Sequence, residues 1–192
     1  MEQHAALVQR EVRALKLRVA IMSDVQPLNA LIAASARELS AGFYSPEQIE
    51  ALIVHVFGVD TQLIDDGTYY LINDEERPRE PVAAGGWSFR RTLYGGDQSK
   101  SGEDTRLNPL SDAARIRAFF VHPRFARRGL GRQLYAECER AARVAGFHRM
   151  ELMATLPGVP LYSALGFEPV ERTSVRLPVD VDVPLVRMER AI

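Results

Sequence analysis

The 192-residue chain has one cysteine, Cys138. An internal disulfide and a metal site built on two or more thiolates are therefore excluded, no metal is expected, and a reducing cytosol suits the chain best. Long apolar runs are also missing. Nowhere do about 18 apolar residues follow one another, as a membrane-crossing helix requires, and the opening MEQHAALVQREVRALK lacks the apolar core and small-residue cleavage site of an export signal. The chain reads as neither exported nor membrane-spanning, hence cytoplasmic. Neither charge is in excess, because 24 basic residues stand against 25 acidic ones. Without a whole-molecule field, neither nucleic acid nor a membrane surface is expected as a partner, and any electrostatic recognition has to be local. Internal repeats and low-complexity tracts are absent too. What is present, 46% hydrophobic and 26% charged residues, is the composition of a globular protein whose length suits one domain with a sizeable core.

Apolar spacing divides the chain into elements. Ala5, Val8, Val12 and Leu15 fall three and four apart, so residues 1–16 read as a helical extension ahead of a single domain spanning 17–192. Leu17–Met22 is strand-like and leads through Ser23 or Asp24 into a helix carrying Leu28, Leu31, Ile32 and Leu39. Ser45-Pro46-Glu47 opens a second helix, with Ile49, Leu52, Ile53 and Val56 inward and Gly58 as its stop. Thr61–Ile64 and Thr68–Ile72, separated by Asp65-Asp66-Gly67, are expected to form a hairpin, with a further strand over Val82–Phe89. Residues 90–114 are polar, rich in turn formers and too long for a hairpin connection, so they read as an inserted loop or lid. Then come a strand over Ile116–Val121, a helix over Leu130–Ala145 ended by Gly146, a strand over Met150–Met153, a short helix over Val159–Leu165, and strands at Phe167–Arg172 and Pro184–Met188. The class is α+β, with a right-handed parallel crossover from Ile116 to Met153.

Chemistry concentrates in RIRAFFVHPRFARRGLGRQL, Arg115–Leu134, where a strand enters a glycine-bearing loop that becomes a helix. The first amides of a helix lack intrahelical partners and the helix dipole adds positive charge there, so a phosphate can be held without a metal. Gly129 and Gly131 remove Cβ atoms where backbone and ligand would meet, and six arginines with no acid lie between Asp112 and Glu137. A bare Gly-x-Gly equally fits a tight helix start with solvated arginines, and context has to decide. The NTP-hydrolysing loop is not supported, since Gly-x-x-x-x-Gly-Lys-Ser/Thr is missing. Leu134 stands where the dinucleotide fingerprint needs its third glycine. Nucleic-acid binding through the arginine cluster is disfavoured by the near-zero net charge.

VHPRFARRGLGRQL, followed about thirty residues later by PLYSALGFEPV, resembles the coenzyme A-binding signature of the GNAT superfamily of acyl-CoA-dependent N-acetyltransferases. The resemblance extends to the order of elements from Leu17 to Met188. It implies a three-layer fold: a mixed, mostly antiparallel central sheet with helices on both faces and a central parallel strand pair. The implied donor is acetyl-CoA, with direct transfer to an amine. Ala126 departs from the Gln or Arg that is frequent at the first motif position. Because the pyrophosphate is held mainly by backbone amides, the change weakens a contact without abolishing the site.

Carried over by residue, the resemblance implies that Arg127, Arg128, Gly129, Leu130, Gly131 and Arg132 cradle the pyrophosphate. Phe119, Phe120 and Val121 would face the pantetheine arm, whose peptide groups pair with the strand. Core packing accounts equally well for either phenylalanine side chain. Thr155 stands where many relatives have a cofactor-contacting asparagine. Tyr162 matches the tyrosine that donates a proton to the departing thiolate; a phenol of pKa about 10 suits a thiol of about 8 to 9. The amide of Phe119 is the candidate oxyanion donor. The glutamate that some relatives carry on the preceding strand is replaced by Arg115 and Arg117, leaving Glu38, Asp112, His55, His122 or a water chain as candidate base. Cys138 sits among apolar helix positions and reads as a buried hydrophobe, which discards an acyl-cysteine route. In the resembling fold the acceptor enters over residues 39–46, making Phe43 and Tyr44 the substrate-binding candidates. The acceptor itself stays open, from small amines to peptide and protein amines. A homodimer through the final strand is a further expectation from the resemblance. The competing function is a catalytically inactive acyl-CoA-binding regulatory module.

Overall fold

The computed structural model describes residues 14–100, 102–178 and 180–192. The helix expected over residues 5–15 lies outside them except at its end, where Leu15 belongs to the first strand, β1 (Leu15–Val19). Arg18 in that strand holds Asp24 through two hydrogen bonds of 2.7 and 2.8 Å, and Asp24 also accepts from the Ile21 amide at 2.9 Å. This turn delivers the chain into α1 (Val25–Leu39). The second helix, α2 (Pro46–His55), starts where Ser45 and Pro46 place it. The Gln48 amide donates to Ser45 Oγ at 3.2 Å, and the Ser45 amide donates to Gln48 Oε1 at 2.9 Å.

Thr61–Asp65 is a short helix, α3, and not the expected first arm of a hairpin. The β-branched residues Thr61 and Ile64 suggested a strand, but Asp60 caps the segment by accepting from the Gln62 amide at 3.0 Å. A helical turn also places the adjacent Leu63 and Ile64 on one buried patch, which strand alternation would separate.

The hairpin is instead made by β2 (Tyr69–Asp74) and β3 (Arg77–Ser88), the latter beginning earlier than its apolar part foretold. The chain continues through β4 (Ala114–Val121), α4 (Leu130–Val144), β5 (Arg149–Thr155), α5 (Val159–Ala164), β6 (Glu168–Leu177) and β7 (Val181–Ala191). Seven strands form one sheet in the order β1-β2-β3-β4-β5-β7-β6. All pairings are antiparallel except β4 with β5. Alternation along the central strands feeds two layers. Tyr70, Ile72, Ala83 and Trp87 pack toward Leu134, Cys138 and Ala142 of α4, while Tyr69, Leu71 and Ala84 meet Leu28, Leu31 and Ile32 of α1. Ile49 and Leu52 of α2 cover Val183 and Leu185 of β7.

Two irregularities shape the centre. The parallel strands pair only at Ala114 with Met150 and Arg115 with Glu151, then diverge. Glu151 receives both Arg115 and, at 3.2 Å, Arg187 of β7, so charge clamps three neighbouring strands at the point of contact. Further along β4, the single residue Gly85 of β3 opposes two, Ala118 and Phe119, and Ala118 takes φ 53°, a bulge that bends the strand. Gly85 makes room for it: a Cβ there would lie 2.6 Å from the ring of Phe119.

The inserted loop is fastened down. Arg90 and Arg106 form an isolated bridge, and the Gly96 amide donates to Val56 O at 2.8 Å. Arg117, 1% exposed, donates to Asp60 Oδ2 at 2.8 Å, to Thr92 O at 2.8 Å and to Gly95 O at 2.7 Å, while Lys100 also reaches Asp60. Burial pushes the guanidinium's pKa down, and Asp60 opposes that shift. Removing one partner of a buried pair strands the other charge. Asp60→Ala is therefore expected to cost about 3–5 kcal/mol in urea unfolding. Glu50→Ala, which breaks an exposed bridge to Arg37, should leave the unfolding midpoint nearly unchanged.

Candidate active site

Beyond Arg115, the edge of β4 that turns away from β3 has no partner strand, and the gap opens into a cleft of about 230 Å³. Phe119, Phe120, Val121, Thr155 and Tyr162, separated in sequence, all line it. Phe119 leans toward α5, with its ring centroid 6.2 Å from that of Tyr162, and Phe120 points across the sheet to Phe57 at 5.3 Å. Each phenylalanine is thus both a packing residue and a wall of the cleft.

At the far end of β4, His122-Pro123 starts a tight turn in which His122 Nδ1 accepts from the Arg124 amide at 3.2 Å. Arg127 and Gly129 then adopt φ of 63° and 82°, and α4 begins. The first intrahelical bond runs from the Gln133 amide to Gly129 O, so the amides of Leu130, Gly131 and Arg132 precede the helical ladder. Arg124, Arg127, Arg128 and Arg132 have no carboxylate partner among the described residues, and Arg128 stacks at 5.1 Å over Phe125. Unpaired amides and unpaired cations are the donor set a diphosphate requires.

The two glycines do different work. Gly129 is needed for its left-handed backbone, since an added Cβ would meet nothing within 4 Å. Gly131 is needed for packing. A Cβ there would lie 3.0 Å from Leu161, which itself lines the cleft, so this glycine seats α5 against α4 and brings the helix start beside the cleft.

Tyr162 is buried, packed edge-on against Phe167 at 5.9 Å, and its hydroxyl makes no hydrogen bond among the described residues. Burial raises the phenol's pKa well above its ordinary value. The ring fits because Gly158 has no side chain, a Cβ there lying 3.2 Å away. Cys138 is fully buried and its thiol is likewise pushed up by burial, consistent with a packing role.

The two residues expected on the acceptor side lie apart from the cleft. Neither Phe43 nor Tyr44 lines the cleft. Phe43 is half exposed, and Tyr44 is a tie: its hydroxyl donates to Pro184 O at 2.7 Å and accepts from the Leu156 amide at 2.9 Å. The segment between α1 and α2 turns its aromatic residues outward and down onto β7. Leu39 and Leu52 of the two helices, Ser40 and Val56 that end them, and Leu93–Gly95 of the inserted loop line the cleft there. Helical periodicity marks such residues as core, so no signal set them apart; for residues 93–95 the length of the loop was the one available hint. None of Glu38, Asp112, His55 or His122 lines the cleft.

The Acetyltransferase (GNAT) family model matches residues 34–167, about seven-tenths of the chain, and the chain belongs to that family. Solved structures with the same fold include a GCN5-related N-acetyltransferase from Rhodopseudomonas palustris, which is 19% identical. The alignment covers 94% of this chain and 98% of that one, with a TM-score of 0.67. The PaiA N-acetyltransferase of Thermoplasma acidophilum, solved with coenzyme A, is 14% identical over 93% and 99% of the two chains, with a TM-score of 0.61. YncA of Salmonella typhimurium, a putative acetyltransferase solved with acetyl-CoA, is 14% identical over 93% and 94%, with a TM-score of 0.60. Comparison with curated proteins gave no match.

Tyr44→Phe leaves the Leu156 amide and Pro184 carbonyl without their partner and is expected to cost about 1–3 kcal/mol in urea unfolding. Phe43→Ala should leave the unfolding midpoint unchanged.

Proposed function

We propose that the chain is an N-acetyltransferase that moves an acetyl group from acetyl-CoA directly to a primary amine. The observation that carries the reading is the junction of three features: the β4–β5 gap, the unpaired amides at the start of α4, and Tyr162 between them. The pyrophosphate lies over Arg127–Arg132, and the pantetheine arm follows the open edge of β4 along Phe119–Val121, with Thr155 on the opposite side. The Phe119 amide, turned by the bulge at Ala118, meets the charge that develops on the thioester oxygen. Tyr162 gives its proton to the departing thiolate. The C–N bond forms as the C–S bond breaks, and the amine's own proton leaves to water. The raised pKa of Tyr162 supports this role, since it keeps the donor protonated throughout the neutral range. The buried single cysteine and the lack, among the described residues, of a helix long and apolar enough to cross a membrane fit work in the cytosol. Acceptors of family scale are wide; one protein of the same fold is the ribosomal-protein-S18-alanine N-acetyltransferase of Escherichia coli, 12% identical with a TM-score of 0.57.

Calorimetric titration of acetyl-CoA into the wild type and Gly129→Glu tests the site. The variant strains a left-handed position and puts a carboxylate where a diphosphate sits, so binding should fall below detection while circular dichroism stays native. Equal affinity in both proteins would rule out the diphosphate site. A thiol-release assay then tests turnover. Tyr162→Phe should lower kcat about 100-fold or more with little change in acetyl-CoA affinity. Binding without amine-dependent thiol release in the wild type would mark a non-catalytic acyl-CoA-binding module. With no carboxylate or imidazole lining the cleft among the described residues, the rise of kcat/KM with pH should follow the acceptor's own pKa, levelling near 8 for an α-amine and near 10 for an alkylamine. An unchanging midpoint near 6 to 7 for both would identify an enzyme base.

A further inference from the structure

Resting on the transferase reading, the apolar part of the cleft's lining deepens it by naming a class of acceptor. That part includes Leu39, Leu52, Val56, Leu93, Met153 and Leu185, contributed by α1, α2 and the residue that ends it, the inserted loop, β5 and β7. Among the described residues no aspartate, glutamate, histidine or lysine lines the cleft; its ionisable side chains are Tyr94, Arg117 and Tyr162. The Arg117 guanidinium is spent on Asp60, Thr92 O and Gly95 O. The charged groups behind this wall are Arg117 and Lys100 against Asp60, with Asp104 also acting on Arg117 through space, a formal sum of zero.

From this we infer that the acceptor is a single amine on an apolar body with no second cationic group. An ammonium entering the cleft loses its hydration and finds no carboxylate among the described lining residues, so burial favours the neutral amine. Desolvation thus supplies the deprotonated nucleophile that a strand glutamate would otherwise generate, which is consistent with Arg115 and Arg117 occupying that strand. A polyamine or aminoglycoside would carry further charges into a lining that offers them no carboxylate, while an apolar body gains from burial against the leucines.

The experiment titrates phenethylamine and spermidine into the full chain saturated with coenzyme A, and measures thiol release from acetyl-CoA with phenethylamine, methylamine, spermidine and kanamycin. Phenethylamine should bind, and its kcat/KM should exceed that of each of the others by at least about 10-fold, within the discrimination an apolar pocket supplies. Leu93→Glu, which places a carboxylate on the loop wall, should move the ratio at least about 10-fold toward spermidine. Preferred binding or turnover of spermidine or kanamycin in the wild type would overturn the inference while leaving the transferase intact. So would equal kcat/KM for phenethylamine and methylamine with octanoyl-CoA preferred over acetyl-CoA, because the apolar wall would then serve the acyl chain. Binding of phenethylamine without thiol release from any amine would support the acceptor class and tell against catalysis.

Discussion

Among the described residues β4 and β5 pair in register at two positions, Ala114 with Met150 and Arg115 with Glu151, and the site depends on that brevity. A parallel strand whose neighbour departs is left with peptide groups that must be paired by water or by a ligand. Here the departure is enforced at both ends. Glu151 draws Arg115 and Arg187 together and fixes the hinge of the opening, while the bulge at Ala118 and the ring of Phe119 over Gly85 bend β4 away. The same bend carries the strand's end to the turn before α4, where unpaired amides gather. Backbone polarity along the gap and at the helix start forms one continuous track, and α5 closes it because Gly131 lets Leu161 approach.

Charge is divided along this track. At its outer end, exposed arginines without carboxylate partners face solvent, ready for an anionic ligand at little desolvation cost. Inward, the cleft's one guanidinium belongs to a buried cluster that positions structure. Arg117 uses it to hold the 92–95 segment and Asp60 together, so a strand residue in the sheet, the cap of α3 and the inserted loop form one unit. The inserted loop, read from sequence as a lid or a plain insertion, contributes Leu93–Gly95 to the cleft and docks against the end of α2.

The family resemblance and the chemistry of the acceptor side stand on different footing. The glycine loop and the Leu-Tyr-x-x-x-Gly-Phe motif are local patterns whose backbone geometry neighbouring residues encode. The apolar wall of the cleft is assembled from side chains of five separate elements. Each is an ordinary core residue by its own periodicity, and only convergence makes it a surface.

The helices and strands with clear start and stop chemistry were legible in the residues: α2 through Ser45 and Pro46, α4 through Gly129 and Gly146, and β4 through the apolar run Ala118–Val121 stopped by His122-Pro123. Local rules sufficed there because caps and glycines act within a turn of the chain. They failed at Thr61–Asp65, where an aspartate cap outweighed β-branched composition, and at Leu15, where a helical stripe ran into a strand whose partner lies far along the chain. By itself the sequence determined most of the order of elements, the glycine-bearing helix start with its unpaired amides and the tyrosine on α5, since each is written in neighbouring residues. Tertiary structure alone decided that Tyr44 is a tie, that Gly131 seats a helix and that leucines from distant segments face one neutral cleft, because those facts depend on which surfaces the sheet brings together.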